Sequence, residues 1–133
     1  MLINIHCAKC VGIDAIPVIV EVDVATGIGI HLVGLADAAI KESLLRIVTS
    51  LQTLGFRIPG RKIVINLAPA DMHKKGSGYD LPIALGIIAA SAQRDLPLLD
   101  KFFFCSLDFI TFTLFMSART IKKQYVPRAY CQK

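Results

Sequence analysis

From Pro17 the chain alternates strictly: Val18, Val20, Val22 and Val24 fall on one side, Ile19, Glu21 and Asp23 on the other. That period of two predicts a half-buried strand, with one face on the core and one in water. Leu2 to Cys7 predicts a strand before it, and Val11-Gly12-Ile13-Asp14 the turn between them. After the punctuation of Ala25-Thr26-Gly27, Ile28 to Val33 predicts a third strand, returning as a hairpin on the second.

The period then changes. Ile40, Leu44, Ile47, Val48, Leu51 and Leu54 recur at three- and four-residue spacing between Asp37, placed to favour a helix N-terminus, and Gly55, which ends the run. Burying that stripe contributes roughly 1.5 to 3 kcal/mol per large side chain, so the helix is first a structural keel. Phe56 to Arg61, with Pro59-Gly60, predicts a turn. Lys62-Ile63-Val64-Ile65-Asn66-Leu67 predicts a strand buried on both sides and therefore central. Ala68 to Tyr79 is a polar, glycine-containing loop. Asp80 to Gln93 predicts an apolar helix, with Pro82 in the first turn where a missing N–H costs nothing. Three strands, a helix, a strand and a helix make an α+β or α/β two-layer sandwich.

At 133 residues, 54% hydrophobic and 19% charged, the chain has enough apolar material for one packed domain and too little charge for a disordered one. Its net charge of +5 is not spread evenly. Residues 1–100 carry nine basic and nine acidic side chains, whereas 101–133 carry six basic ones against Asp108 alone, and six of the seven Phe. The basic balance therefore describes the last thirty residues and not a face of the body. From residue 103 the clear periodicities stop, which predicts a domain over 1–102 followed by an atypical Phe-rich basic tail.

The N-terminus lacks a basic region followed by an apolar one, so the expected compartment is the cytoplasm, with Cys7, Cys10, Cys105 and Cys131 reduced. Phe102 to Met116 is interrupted by Asp108 and is shorter than the ~20 residues a spanning helix needs. No membrane association is expected.

The candidate chemistry concentrates in Lys74-Lys75-Gly76-Ser77-Gly78, between a strand and a helix, where phosphate-cradling loops sit. No Gly-x-x-x-x-Gly-Lys-Ser/Thr occurs in the chain, so this is not a P-loop. Two readings stand side by side. In one, the glycines supply unusual backbone conformations and the lysines stay solvated. In the other, Arg61, Lys62, Lys74, Lys75, Gly76, Ser77 and Gly78 contact an anion or nucleic acid. Cys7-Ala8-Lys9-Cys10 has no second pair at zinc spacing and opens no helix, so it reads as ordinary thiols. His6, His31 and His73 are scattered singletons. Asp71 is read as capping the loop and Asp80 as capping the helix after it. No catalytic or metal-binding residue is expected.

The stretch Val33-Gly34-Leu35-Ala36-Asp37-Ala38-Ala39-Ile40-Lys41-Glu42-Ser43, followed by Ile63-Val64-Ile65-Asn66-Leu67-Ala68-Pro69-Ala70-Asp71-Met72-His73-Lys74-Lys75-Gly76-Ser77-Gly78-Tyr79-Asp80-Leu81-Pro82-Ile83-Ala84, resembles the N-terminal domain of the magnesium-chelatase-like AAA ATPases of the competence-protein type. The resemblance runs from Met1 to about Phe102. It implies the ribosomal protein S5 domain 2-like fold, shared with Lon-type protease domains, incomplete here at its C-terminal end. It also implies an ATPase module as partner, ATP and magnesium as cofactors of the full-length family but none for this chain, ring-forming homo-oligomers of the full-length protein, and an association with DNA processing in competence.

Two departures stand out. Ala36 replaces the family's Pro in Val-Gly-Leu-Pro-Asp, which loosens the entry to the helix. After Phe102 the family's Gly-Glu-Leu strand, Asp-Gly turn and Pro-Ile-Ala helix are missing, which suggests a truncated domain with a frameshifted end over 103–133. The expected function is thus a non-catalytic accessory domain of an ATP-driven motor. The alternatives are a small nucleic-acid-binding module and a Lon-like Ser/Lys peptidase. Aligning the loops through Lys-x-Gly puts the peptidase nucleophile at Gly78, not Ser77, which speaks against the last.

Overall fold

The computed structural model describes residues 1–11, 13–75, 78–97, 99 and 103–105. The elements in chain order are β1 (Leu2–Val11), β2 (Asp14–Ala25), β3 (Gly29–Val33), α1 (Ala38–Thr53), β4 (Lys62–Ala68), α2 (Asp80–Ala90) and β5 (Phe103–Cys105). The fold is α+β. A five-stranded sheet in the order β3-β4-β2-β1-β5 carries two helices.

The alternation in β2 has the predicted outcome. Val18, Val20, Val22 and Val24 are buried, while Ile19, Glu21 and Asp23 line the half-exposed opposite face. β1 pairs antiparallel with β2 so that Ile5 faces Val20 and Cys7 faces Val18, extending the same buried layer. Asp37 caps α1 as expected, its carboxylate accepting from the Ile40 N–H at 2.9 Å. Ile40, Ile47 and Leu51 of α1 enter one core with Ile63, Ile65 and Leu67 of β4 and the apolar residues of α2.

Two strand expectations are corrected. β3 forms no hairpin with β2. It pairs parallel with β4, which lies between them, because the 16-residue α1 carries the chain from β3 over to a parallel neighbour. β4 is interior, yet it is not buried on both faces: Ile63, Ile65 and Leu67 are buried and Lys62, Val64, Asn66 and Ala68 are half-exposed. Its outward Asn66 donates to Glu21 on β2 at 2.7 Å.

α2 ends at Ala90, three residues short of its predicted end, and all eleven of its residues are buried. A helix apolar all round requires cover on every side. Gly86 lets it approach the sheet closely, since a Cβ there would lie 2.4 Å from a Val22 methyl. Beyond its end, Gln93 exchanges hydrogen bonds with the Arg57 backbone and Arg94 lies over the Phe56 ring, which ties the segment after α1 to the segment after α2. β5 pairs parallel with β1, just past the expected boundary at residue 102.

Candidate functional site

β1, β3 and β4 run in the same direction, so their C-terminal ends share one end of the sheet. The loop following β4 folds back over that end and is fastened on both sides. Lys9 of β1 donates its ammonium to the His73 carbonyl at 3.0 Å. On the other side Lys74 meets Ala36 in a parallel bridge, the Lys74 N–H donating to Leu35 and the Asp37 N–H to Lys74, both at 3.3 Å.

That fastening requires an abrupt turn after β3. Gly34 takes φ +98° because a Cβ at this position would sit 2.3 Å from the Leu67 carbonyl oxygen. Leu35 follows at φ +51°, a conformation that leucine rarely adopts and that the two bridge hydrogen bonds impose.

Lys74 corrects the expectation of a solvated lysine. It is fully buried, and its ammonium donates to the Pro69 carbonyl, closing the loop on itself. Burial lowers its pKa from the usual lysine value, Asp71 partly restoring it and Lys9 adding to the fall. Asp71 itself is exposed.

Asp80 does not cap α2. The residue at the cap is Tyr79, and Asp80 lies within the first turn, fully buried, with one carboxylate oxygen 3.4 Å from the Arg46 guanidinium of α1. Arg46 also reaches Glu42 at 3.5 Å. Burial pushes the Asp80 carboxyl upward, while hydrogen bonding to Ser43 and the charge of Arg46 oppose that. The pair locks α1 to α2, and removing either partner would strand a buried charge or loosen the helices. The other Asp80 oxygen and the Tyr79 hydroxyl are buried with no hydrogen-bond partner among the described residues. Burial drives the Tyr79 phenol up to about 12, with Cys7 and Asp37 contributing.

The candidate contacts that are described fall into two separate groups. Arg61, exposed, and Lys62, half-buried, stand at the start of β4, and Lys74 and Lys75 follow its far end. β4, seven residues or about 20 Å long, begins at Lys62 and runs between the two groups. Gly76 and Ser77 lie outside the described residues, and Gly78 is half-buried. Lys75 is the exposed cation of the loop; Lys74 is spent on Pro69. The charge of Asp80 at the start of α2 opposes an incoming phosphate. The described residues therefore do not by themselves form a phosphate cradle. Among the described residues no group of three His, Cys, Asp or Glu side chains is placed to hold a metal ion. What the arrangement does is mechanical: it fixes the turn after β3, the loop after β4 and both helix starts against one another.

Neither the Arg46–Asp80 tie nor the burial of Tyr79 was expected from spacing alone. A signal was available, because Asp80 is the one acid in an otherwise apolar helix. The residues that this latch ties together, Gly34 to Asp37, Lys74, Tyr79 and Asp80, fall within the segment that carries the family match. A model described as subunit ChlI of Mg-chelatase matches residues 20–109, and the chain belongs to this magnesium-chelatase family. It is 40% identical over 99 residues to the uncharacterized protein YifB of Escherichia coli strain K12, covering 74% of this chain and 20% of that one. It is 41% identical over 101 residues to the competence protein ComM of Haemophilus influenzae, covering 75% and 20%. An uncharacterized mycobacterial protein, Rv2897c of Mycobacterium tuberculosis strain H37Rv, is 36% identical over 84 residues, covering 62% and 17%. The chain thus spans about a fifth of the length of these relatives. No described helix is long and apolar enough to cross a membrane.

Proposed function

We propose that this chain serves as the N-terminal accessory domain of a magnesium-chelatase-like AAA ATPase, with the ribosomal protein S5 domain 2-like fold. It makes partner and nucleic-acid contacts while an ATPase module hydrolyses ATP. The observation that carries this reading is the latch itself. The glycine-lysine loop that most invites a catalytic or phosphate-binding role holds its one buried lysine on a backbone carbonyl, and the acid that follows it at the start of α2 is held on Arg46, so both groups serve the fold. The cytoplasm is the compartment that suits such a domain.

The DNA arm of the proposal draws on the likeness to a competence protein and on the exposed Arg61 and Lys75. Glu21 and Asp23 on the open face of the sheet would repel phosphate, so DNA would lie at the strand ends. Titrating the chain into a labelled duplex is expected to show weak binding that falls at least tenfold between about 50 and 200 mM salt. Lys75→Ala should reduce the salt slope by about one and Lys74→Met should leave it unchanged. Absence of binding at low salt, or equal loss from Lys74→Met, would remove the DNA arm and leave the accessory role without it.

A further inference from the structure

We infer that the knot joining the segments after α1 and α2, which carries Arg57, Arg61 and Arg94, grips the phosphate backbone of duplex DNA; the inference rests on the DNA arm proposed above and gives it a place. Two ties make the knot. The Gln93 side chain accepts from the Arg57 N–H at 2.7 Å, and its amide donates to the Arg57 carbonyl at 2.6 Å and the Ser91 hydroxyl at 2.8 Å. The Arg94 guanidinium lies 5.9 Å from the centre of the Phe56 ring. Arg57 and Arg94, distant in the sequence, are thereby held on adjoining stretches of backbone. Arg61 follows Arg57 by four residues, at most about 14 Å along the chain.

The charge gathered there is not used by the fold. Residues 54–61 and 91–97 carry these three arginines against Asp95 alone. All three are exposed, and among the described residues none of them enters an ion pair, whereas Arg46, the other described arginine, is paired with Asp80 and Glu42. Cations near helix C-termini commonly balance the helix dipole. That effect fades within the last turn, and Arg57 and Arg94 each stand four residues beyond the end of their helix, Thr53 and Ala90.

The kind of partner follows from what this surface lacks. The large apolar residues of the two segments, Leu54, Phe56, Ile58 and Leu96, are packed against the core, so none is left as the anchor around which a protein partner docks. Phosphate contact needs no such anchor. A guanidinium fork matches two phosphate oxygens at once, which a lysine cannot do. Over about 14 Å of its axis a duplex presents about four phosphates on each strand, enough for three arginines.

Titrating the full chain into a labelled duplex at several salt concentrations tests this. Arg57→Gln, Arg61→Gln and Arg94→Gln together should lower the slope of log affinity against log salt by about three, while the same three positions changed to lysine should keep it. The six basic side chains of residues 101–133 are common to all these proteins and cancel in the difference. The urea midpoint of the glutamine variant should stay close to that of the parent, because the three side chains are exposed. A slope that Lys75→Ala lowers and the triple glutamine variant leaves unchanged would overturn this site and spare the DNA arm. No binding to the duplex at low salt would overturn both. Poly-glutamate that binds more tightly than the duplex at equal charge, with loss of that binding in the triple glutamine variant, would make the partner an acidic polypeptide and overturn the proposal.

Discussion

Gly34→Ala should destabilise the chain by about 3 kcal/mol or more in urea unfolding, a large share of the 5–15 kcal/mol typical of a domain. Two separate costs add. The backbone at φ +98° is glycine territory, and forcing an L side chain into it costs roughly 1–2 kcal/mol. The new Cβ would also sit 2.3 Å from the Leu67 carbonyl oxygen, which belongs to the backbone of β4 and can yield only if the β3–β4 pairing shifts. Two other glycines calibrate the result. Gly55, at φ +84° with open space around it, should cost about 1 kcal/mol on conversion to alanine, and Gly60, with open space and no positive φ, less than about 0.5 kcal/mol. If Gly34→Ala proves no worse than Gly55→Ala, the turn after β3 does not press on β4 and the latch is looser than described.

Tyr79→Phe should stabilise the chain, and the gain should grow at alkaline pH. Phenylalanine keeps the ring in its buried site and deletes a hydroxyl that has no partner among the described residues, a change worth about 1 kcal/mol at neutral pH. The pH dependence follows from linkage. The unfolded phenol releases its proton near 10.0, whereas the folded one holds it up to about 12. Between those values the folded state binds more protons, so stability falls as pH rises, by roughly 3 kcal/mol over the window. Lys74 acts in the opposite sense below its unfolded value of 10.5. Its lowered pKa means that the folded state sheds the proton first, and stability rises with pH in that window. Both proteins share Lys74, so the difference between their urea-unfolding curves, taken from pH 9 to 12, isolates Tyr79. A constant difference across that range would show that the hydroxyl is solvated.

The parts of the fold that could be read in the sequence are those decided locally. The alternation of β2 and the stripe from Ile40 to Leu51 each identify a face without reference to anything distant, and Asp37 caps the helix that it immediately precedes. Strand partnership is not local. The short link from Ala25 to Gly29 suggests a hairpin, but β4 takes the place beside β2, and nothing within β3 itself distinguishes these outcomes. The site was hidden for the same reason. Lys74 looks solvated because its neighbours are polar, and it becomes buried only when the turn after β3 and the loop after β4 meet. Asp80 looks like a cap until Arg46, 34 residues earlier, is brought alongside by helix packing.

The competing uses of the glycine-lysine loop therefore separate on geometry. A lysine aimed at a phosphate or activating a serine must be free to do so, and the ammonium of Lys74 is held by Pro69. The accessory reading needs nothing of that lysine beyond its place in the fold.

Phosphate release from magnesium-ATP by the purified full chain, with and without duplex DNA, tests the accessory role most directly. The account predicts release no faster than in buffer under both conditions. Sustained release that follows the 14.5 kDa species through purification and is lost in Lys74→Met would contradict it.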